Sequence, residues 1–126
     1  MNSVSPEAIS HSKNLNFDFS NTLRDEQVNL DDYSSYTYII DVDGIIYQAA
    51  SANEDSANIV IIGGTDKFIN EKMNTLNSNF FITETQKTVL YKAIKELAKF
   101  YDSAQITSNS DKLEQSLNAL YSNYCG

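Results

Sequence analysis

The nearest approach to a metal-binding motif in this sequence is Asp41-Val42-Asp43-Gly44. Oxygen donors at alternate positions before a glycine open a calcium loop, but such a loop also needs a Glu at its twelfth position. Ala52 stands there, so the stretch reads as a tight turn. Gly63-Gly64-Thr65-Asp66-Lys67 lacks the spacing of a phosphate-binding loop, and its glycines suit a sharp turn after a buried strand. His11 is the only histidine. A serine or cysteine triad would have to use it as the base, and no G-x-S-x-G motif supplies a nucleophile. Catalytic zinc takes three protein ligands and keeps one position open. With one imidazole and one thiol in the chain, such a site would need carboxylates as well, and His11 is the only candidate ligand. Cys125, the single cysteine, excludes an internal disulfide and a cysteine-cluster metal site.

The element around which these residues must be arranged is the stretch from Tyr36 to Gly64. Tyr38, Ile39 and Ile40 begin an apolar run, Asp43-Gly44 interrupts it, and Ile45 to Tyr47 resume it, which is the pattern of a β-hairpin. Ile59 to Ile62 are all β-branched with no polar alternation. Such a run marks a strand covered on both faces, expected at the centre of the sheet.

Before this stretch, residues 1–20 are expected to form an irregular N-terminal arm, with Ala8-Ile9-Ser10 as a short edge strand and Phe17 and Phe19 as isolated anchors. Asn21 offers a cap for a short helix over Thr22 to Leu30. After Gly64, the polar segment Thr65 to Asn79 reads as a long loop. Thr83-Glu84-Thr85-Gln86 is a capping box, an arrangement worth about 1 kcal/mol. Val89, Leu90, Ala93, Ile94, Leu97, Phe100 and Tyr101 then form a helical stripe. Ala104 to Thr107 supplies a further strand. Ser108 to Asp111 opens a second helix with Leu113, Leu117, Leu120, Tyr121 and Tyr124 on one face. The predicted fold is α/β: one domain over residues 1–126, with a central mixed β-sheet flanked by helices.

A net charge of −8 is concentrated in the first half. Nine acidic residues lie between Asp18 and Asp55, against Arg24 alone. This half repels nucleic acid and anionic lipid; its acidity reads either as a solvated surface that aids solubility or as a surface attracting a basic protein partner, with Asp31, Asp32, Asp41 and Asp43 as candidate binding residues. No apolar run approaches the roughly 20 residues of a membrane span, and the polar opening lacks the pattern of a signal peptide.

The order YTYIIDVDG, a variable loop, NIVIIGG, then NSNFFITETQKTVLYKAIKELAKFYDSAQIT resembles the N-acetylmuramoyl-L-alanine amidases. The likeness is to the short phage lysozymes of the zinc amidase type, which are related to peptidoglycan recognition proteins, and it runs from Tyr36 to Asp111. It implies an amidase-like fold in which the Tyr36 strand and the Ile59 strand share one sheet. In that family a zinc ion held by two His and one Cys activates water against the amide joining muramic acid to L-alanine, with a Tyr assisting. By the resemblance, Tyr36 stands for the assisting tyrosine, and His11 for the first zinc ligand if Ala8 to Ser10 is the first strand. The second histidine is replaced by Asn109 and the cysteine by Leu117, while Cys125 lies too late. An amide binds zinc poorly and a leucine not at all.

The resemblance therefore implies a catalytically inactive protein that acts by binding, without a cofactor and with Tyr36 as a vestige. A phage source would make it a virion component or an inhibitor of a host or phage protein, in the host cytoplasm or the virion. Some phage relatives also bind the phage RNA polymerase. The alternative is a zinc-dependent amidase cleaving peptidoglycan, its metal held by His11 and carboxylates such as Asp111.

Overall fold

Ile59 to Ile62 form the second half of β5 (Ser56–Ile62), with strands on both sides. The computed structural model describes residues 1–20, 29–63, 73–77 and 80–125. Its main sheet contains β1 (Asn2–Val4), β2 (Asn14–Ser20), β3 (Tyr38–Ile40), β4 (Ile46–Gln48), β5 and β8 (Gln105–Ser108). These six strands lie in the order β1-β4-β3-β5-β2-β8. β3, β5, β2 and β8 are parallel. β4 runs antiparallel to β3, as the hairpin pattern predicts, and β1 runs antiparallel to β4. The fold is α/β with a central mixed sheet, and the strand that follows Tyr36 lies directly beside β5.

Side chains alternate across β5. Ile59 and Ile61 join Leu15, Phe17 and Ile40 in the main core, whereas Val60 and Ile62 join Ile39 on the opposite face. The main core is closed by helices α1 (Pro6–Ile9), α2 (Glu84–Phe100) and α3 (Asp111–Cys125). Leu90, Ile94 and Leu97 of α2 and Leu113 and Leu117 of α3 are fully buried there, each worth about 1.5–3 kcal/mol of removal from water. The smaller cluster on the other face is roofed by Leu30, Tyr33, Tyr36 and Val42.

The capping box forms as expected. Thr83 Oγ1 accepts from the Gln86 backbone N–H at 3.1 Å, and the Gln86 amide oxygen accepts from the Thr83 N–H at 3.0 Å. Gln86 then does something further. Its side chain is fully buried, and its Nε2 donates to the carbonyls of Asp41 at 2.8 Å and Ile62 at 2.7 Å. One amide thus ties the start of α2 to the ends of β3 and β5.

Three expectations differ from the structure. Residues 1–20 are not an irregular arm: they contain β1, α1 and the inner strand β2. Asn14-Leu15-Asn16-Phe17-Asp18-Phe19-Ser20 alternates with period two, so Phe17 is a core residue on a strand that pairs along its full length with β5. Ala8 and Ile9 belong to a helical turn started by Pro6, and the edge strand is Asn2–Val4 instead. The expected loop Thr65 to Asn79 includes a strand, β6 (Met73–Asn77), which pairs antiparallel with β7 (Phe80–Thr83). Most of the helix expected over Thr22 to Leu30 lies outside the described residues, and Leu30–Tyr33 form a 3-10 turn capped by Asn29.

No helix among the described residues is long and apolar enough to cross a membrane.

Candidate functional site

Alternation along β2 sends Leu15 and Phe17 into the core and raises Asn14, Asn16 and Asp18 on the other face of the sheet. There they meet side chains of the neighbouring strands. The Tyr36 hydroxyl donates to Asp18 Oδ2 at 2.7 Å, and Asn16 Nδ2 donates to Asp18 Oδ1 at 3.0 Å. Thr107 Oγ1 in turn donates to Asn16 Oδ1 at 2.9 Å. The result is a continuous chain, Tyr36 to Asp18 to Asn16 to Thr107, crossing from the rim of the small apolar cluster to β8.

Asp18 holds the Tyr36 proton in place. The hydrogen bond to its carboxylate, reinforced by burial and by the Asp18 charge, pushes the Tyr36 pKa up to about 12. Tyr36 is therefore a hydrogen-bond donor at neutral pH, not a phenolate. Beyond Asn16, the open face continues as a shallow cavity of about 110 Å³ lined by uncharged residues of β2, β5 and β8, six of them polar, with Leu15 and Ala57. Such an arrangement can orient and hydrogen-bond a polar ligand.

The candidate acidic residues divide into two kinds. Asp31 and Asp32 are exposed on the 3-10 turn and Asp43 is exposed in the hairpin turn. Asp41 is turned inward: its Oδ1 accepts from the N–H groups of Asp43 at 3.0 Å and Ile45 at 2.9 Å. Burial raises its pKa, while those N–H groups pull the other way. It shapes the turn, so the accessible acidic side chains of this set are Asp31, Asp32 and Asp43.

The residues carried over from the amidases do not converge. His11 precedes β2, where its ring lies 4.9 Å from that of Phe100. Asn109 sits past the far end of the same strand, accepting from the Phe19 N–H at 2.9 Å through Oδ1. Roughly 16 Å of extended strand separates Asn14 from Phe19. The assignment of His11 as first ligand depended on Ala8 to Ser10 being a strand, and they are not. Asp111 opens α3, just past Asn109, and so shares its distance from His11. Leu117 is fully buried in the core, and Cys125 is exposed near the carbonyl of Tyr101. These positions do not fit a zinc ion. Among the described residues, no three His, Cys, Asp or Glu side chains are grouped as a metal site.

Sequence reasoning counted Asp18 only as one charge among nine and did not mark Asn16 or Thr107. The strict alternation from Asn14 to Ser20 was the available signal. Comparison of the chain with family models, curated proteins and solved structures found no match.

Proposed function

We propose that this protein acts by binding and not by catalysis. The observation that carries this reading is the employment of Asn109 and Leu117. The Asn109 side chain spans the Phe19 backbone, accepting its N–H at 2.9 Å and facing its carbonyl at 3.5 Å. Leu117 packs against the sheet with no exposure. Both positions, which the resemblance gives to metal ligands, serve the scaffold. Tyr36, the position of the assisting tyrosine, spends its proton on Asp18.

The partner we propose is a basic protein, met by Asp31, Asp32 and Asp43. The 3-10 turn and the hairpin turn that carry them both pack on the same small cluster, through Leu30, Tyr33 and Val42, and we take the three charges that border it as one acidic end. Opposite charge there would speed association and make it salt-dependent. If the resemblance to phage lysozymes reflects the source, this binding would serve a virion component or an inhibitor of a host or phage protein.

Capture of a partner by the intact chain, compared with a variant carrying Asp31→Lys, Asp32→Lys and Asp43→Lys, tests the binding surface. Loss of capture on reversal is expected; unchanged capture would remove the acidic end from the proposal. Elemental zinc analysis and muropeptide release from purified cell walls test the reading against the amidase alternative. Stoichiometric zinc, together with turnover that disappears in Tyr36→Phe, would overturn it.

A further inference from the structure

Parallel strands are ordinarily covered on both faces. In this sheet the second face is roofed over β3, β4 and the Val60–Ile62 end of β5, and among the described residues it is open over Ser56 and Asn58 of β5, the start of β2, and β8. The open part is not apolar surface awaiting a helix. Strand register sets its side chains in two rows, Gln105, Asn14 and Ser56 in one, Thr107, Asn16 and Asn58 in the other. Neighbours within a row stand about 4.8 Å apart and the rows about 6.6 Å apart, and the shallow cavity is lined by these six residues together with Leu15 and Ala57 between the rows.

We infer that this face binds a neutral, hydroxyl-rich ligand, a saccharide. None of the six side chains is charged. The charged groups that border them are already engaged: Asp18 with Tyr36 and Asn16, and Lys13 with Asp55 at 3.8 Å. The six side chains themselves therefore offer no counter-charge to an anion or a cation, and the Asp18 carboxylate beside them disfavours an anion. Its amides and hydroxyls each present a donor and an acceptor close together, and covering them without replacing both kinds of bond costs free energy. A sugar hydroxyl is likewise donor and acceptor at one atom. The N–H and C=O groups of a peptide strand lie in its own plane and meet a sheet at its edge, not on its face.

The extent of the two rows is comparable to a sugar ring with its hydroxyls. Asn16 is ordered before any ligand arrives, since Asp18 holds its nitrogen and Thr107 its oxygen, which reduces the entropy lost on binding. Ser56, Asn58 and Gln105 stand exposed around it. This site does not depend on the acidic end or on its protein partner.

The test is titration of the isotope-labelled full chain with cellotriose, maltotriose and chitotriose, following the side-chain amide resonances of Asn14, Asn16, Asn58 and Gln105. At least one saccharide should shift these resonances saturably, with a millimolar or tighter Kd. Combining Asn58→Ala with Gln105→Ala, both at exposed positions, should weaken that binding about tenfold. Charge reversal at Asp31 and Asp43 should leave it unchanged. Absence of any shift at these amides up to about 20 mM saccharide would overturn the inference, as would shifts that survive the double substitution. Resonances that move with protein concentration alone would give the face to a second copy of the chain and overturn it equally.

Discussion

Tyr36 and Asp18 are joined by a 2.7 Å hydrogen bond across the open face of the sheet, one residue just before β3 and the other on β2, with β5 between them. The bond links the apolar cluster to the polar rows, and it sets the protonation of the phenol.

The first prediction concerns pH. A tyrosine with a folded-state pKa raised from 10 to about 12 contributes stability that is fully present below pH 10. That contribution is lost as the pH rises through about 12. Ultraviolet titration should show tyrosinate transitions near the upper value from Tyr36 and from Tyr121, which is pushed up to about 12 by burial and by Cys125, and the Tyr36 transition should be absent in Tyr36→Phe. In Asp18→Asn the same transition should move back toward the ordinary value, because the carboxylate is the largest cause of the shift. A Tyr36 transition unmoved by Asp18→Asn would contradict the geometry. The Tyr36→Phe change itself should cost about 1 kcal/mol in urea unfolding, since the bond is only partly sheltered from water.

A larger loss is expected at Gln86. Its buried amide serves the Asp41 and Ile62 carbonyls and the Thr83 N–H. Gln86→Leu would withdraw the amide from all three backbone groups, leaving the Asp41 carbonyl with only the Gly44 N–H, at about 3 kcal/mol or more. Gln86→Glu should be no milder, because a carboxylate cannot donate to the two carbonyls and would be buried against them. Equilibrium urea unfolding decides both, and a Gln86→Leu protein within about 1 kcal/mol of wild type would show that the three bonds do not matter to stability.

Gly44 makes the hairpin turn possible in a way that a second substitution should not repair. Its φ is +81°, and an added Cβ would lie 2.8 Å from Thr85 Cβ and 2.9 Å from the Thr85 backbone carbon and oxygen. Gly44→Ala should therefore destabilise by about 2 kcal/mol or more. Trimming Thr85 to Gly would clear the side chain but leave both backbone contacts. The double variant should remain destabilised in thermal unfolding; full recovery would place the obstruction in the side chain alone.

The parts legible in the sequence were those with an uninterrupted local code. Ile59 to Ile62, the hairpin about Asp43-Gly44 and the Thr83 capping box each rest on neighbouring residues, and each forms as read. Residues 14–20 carried an equally regular alternation, but half of its members are Asn, Asp and Ser, which are poor strand formers. The strand exists because β5 and β8 pair with it on both sides, and that information lies 40 to 90 residues away, as the Asn14 pairs with Ser56 and Gln105 indicate. The chain from Tyr36 to Thr107 was hidden for the same reason: no local spacing announces a hydrogen bond between Asn16 and Thr107. Pro6 was the local sign that the following residues start a helical turn.

The last prediction concerns the edge of the sheet. Gln105 turns its N–H inward to the Lys13 carbonyl at 2.9 Å, so by alternation Ile106 and Ser108 direct their backbone groups outward from β8. Unpaired outward groups on an edge strand are a template for another chain. Here two side chains of α3 occupy them. Asn118 Nδ2 donates to the Ile106 carbonyl at 2.9 Å, and Glu114 Oε1 accepts from the Ser108 N–H at 2.9 Å. Neither residue enters the core cluster, so removing both should leave the fold standing while uncovering the edge. Glu114→Ala with Asn118→Ala should associate as concentration rises, seen by light scattering, under conditions where wild type does not change with concentration. Single substitutions should show a weaker form of the same effect. If the double variant behaves as wild type across the same range, the edge is protected by something other than these two bonds, and α3 serves only to close the core.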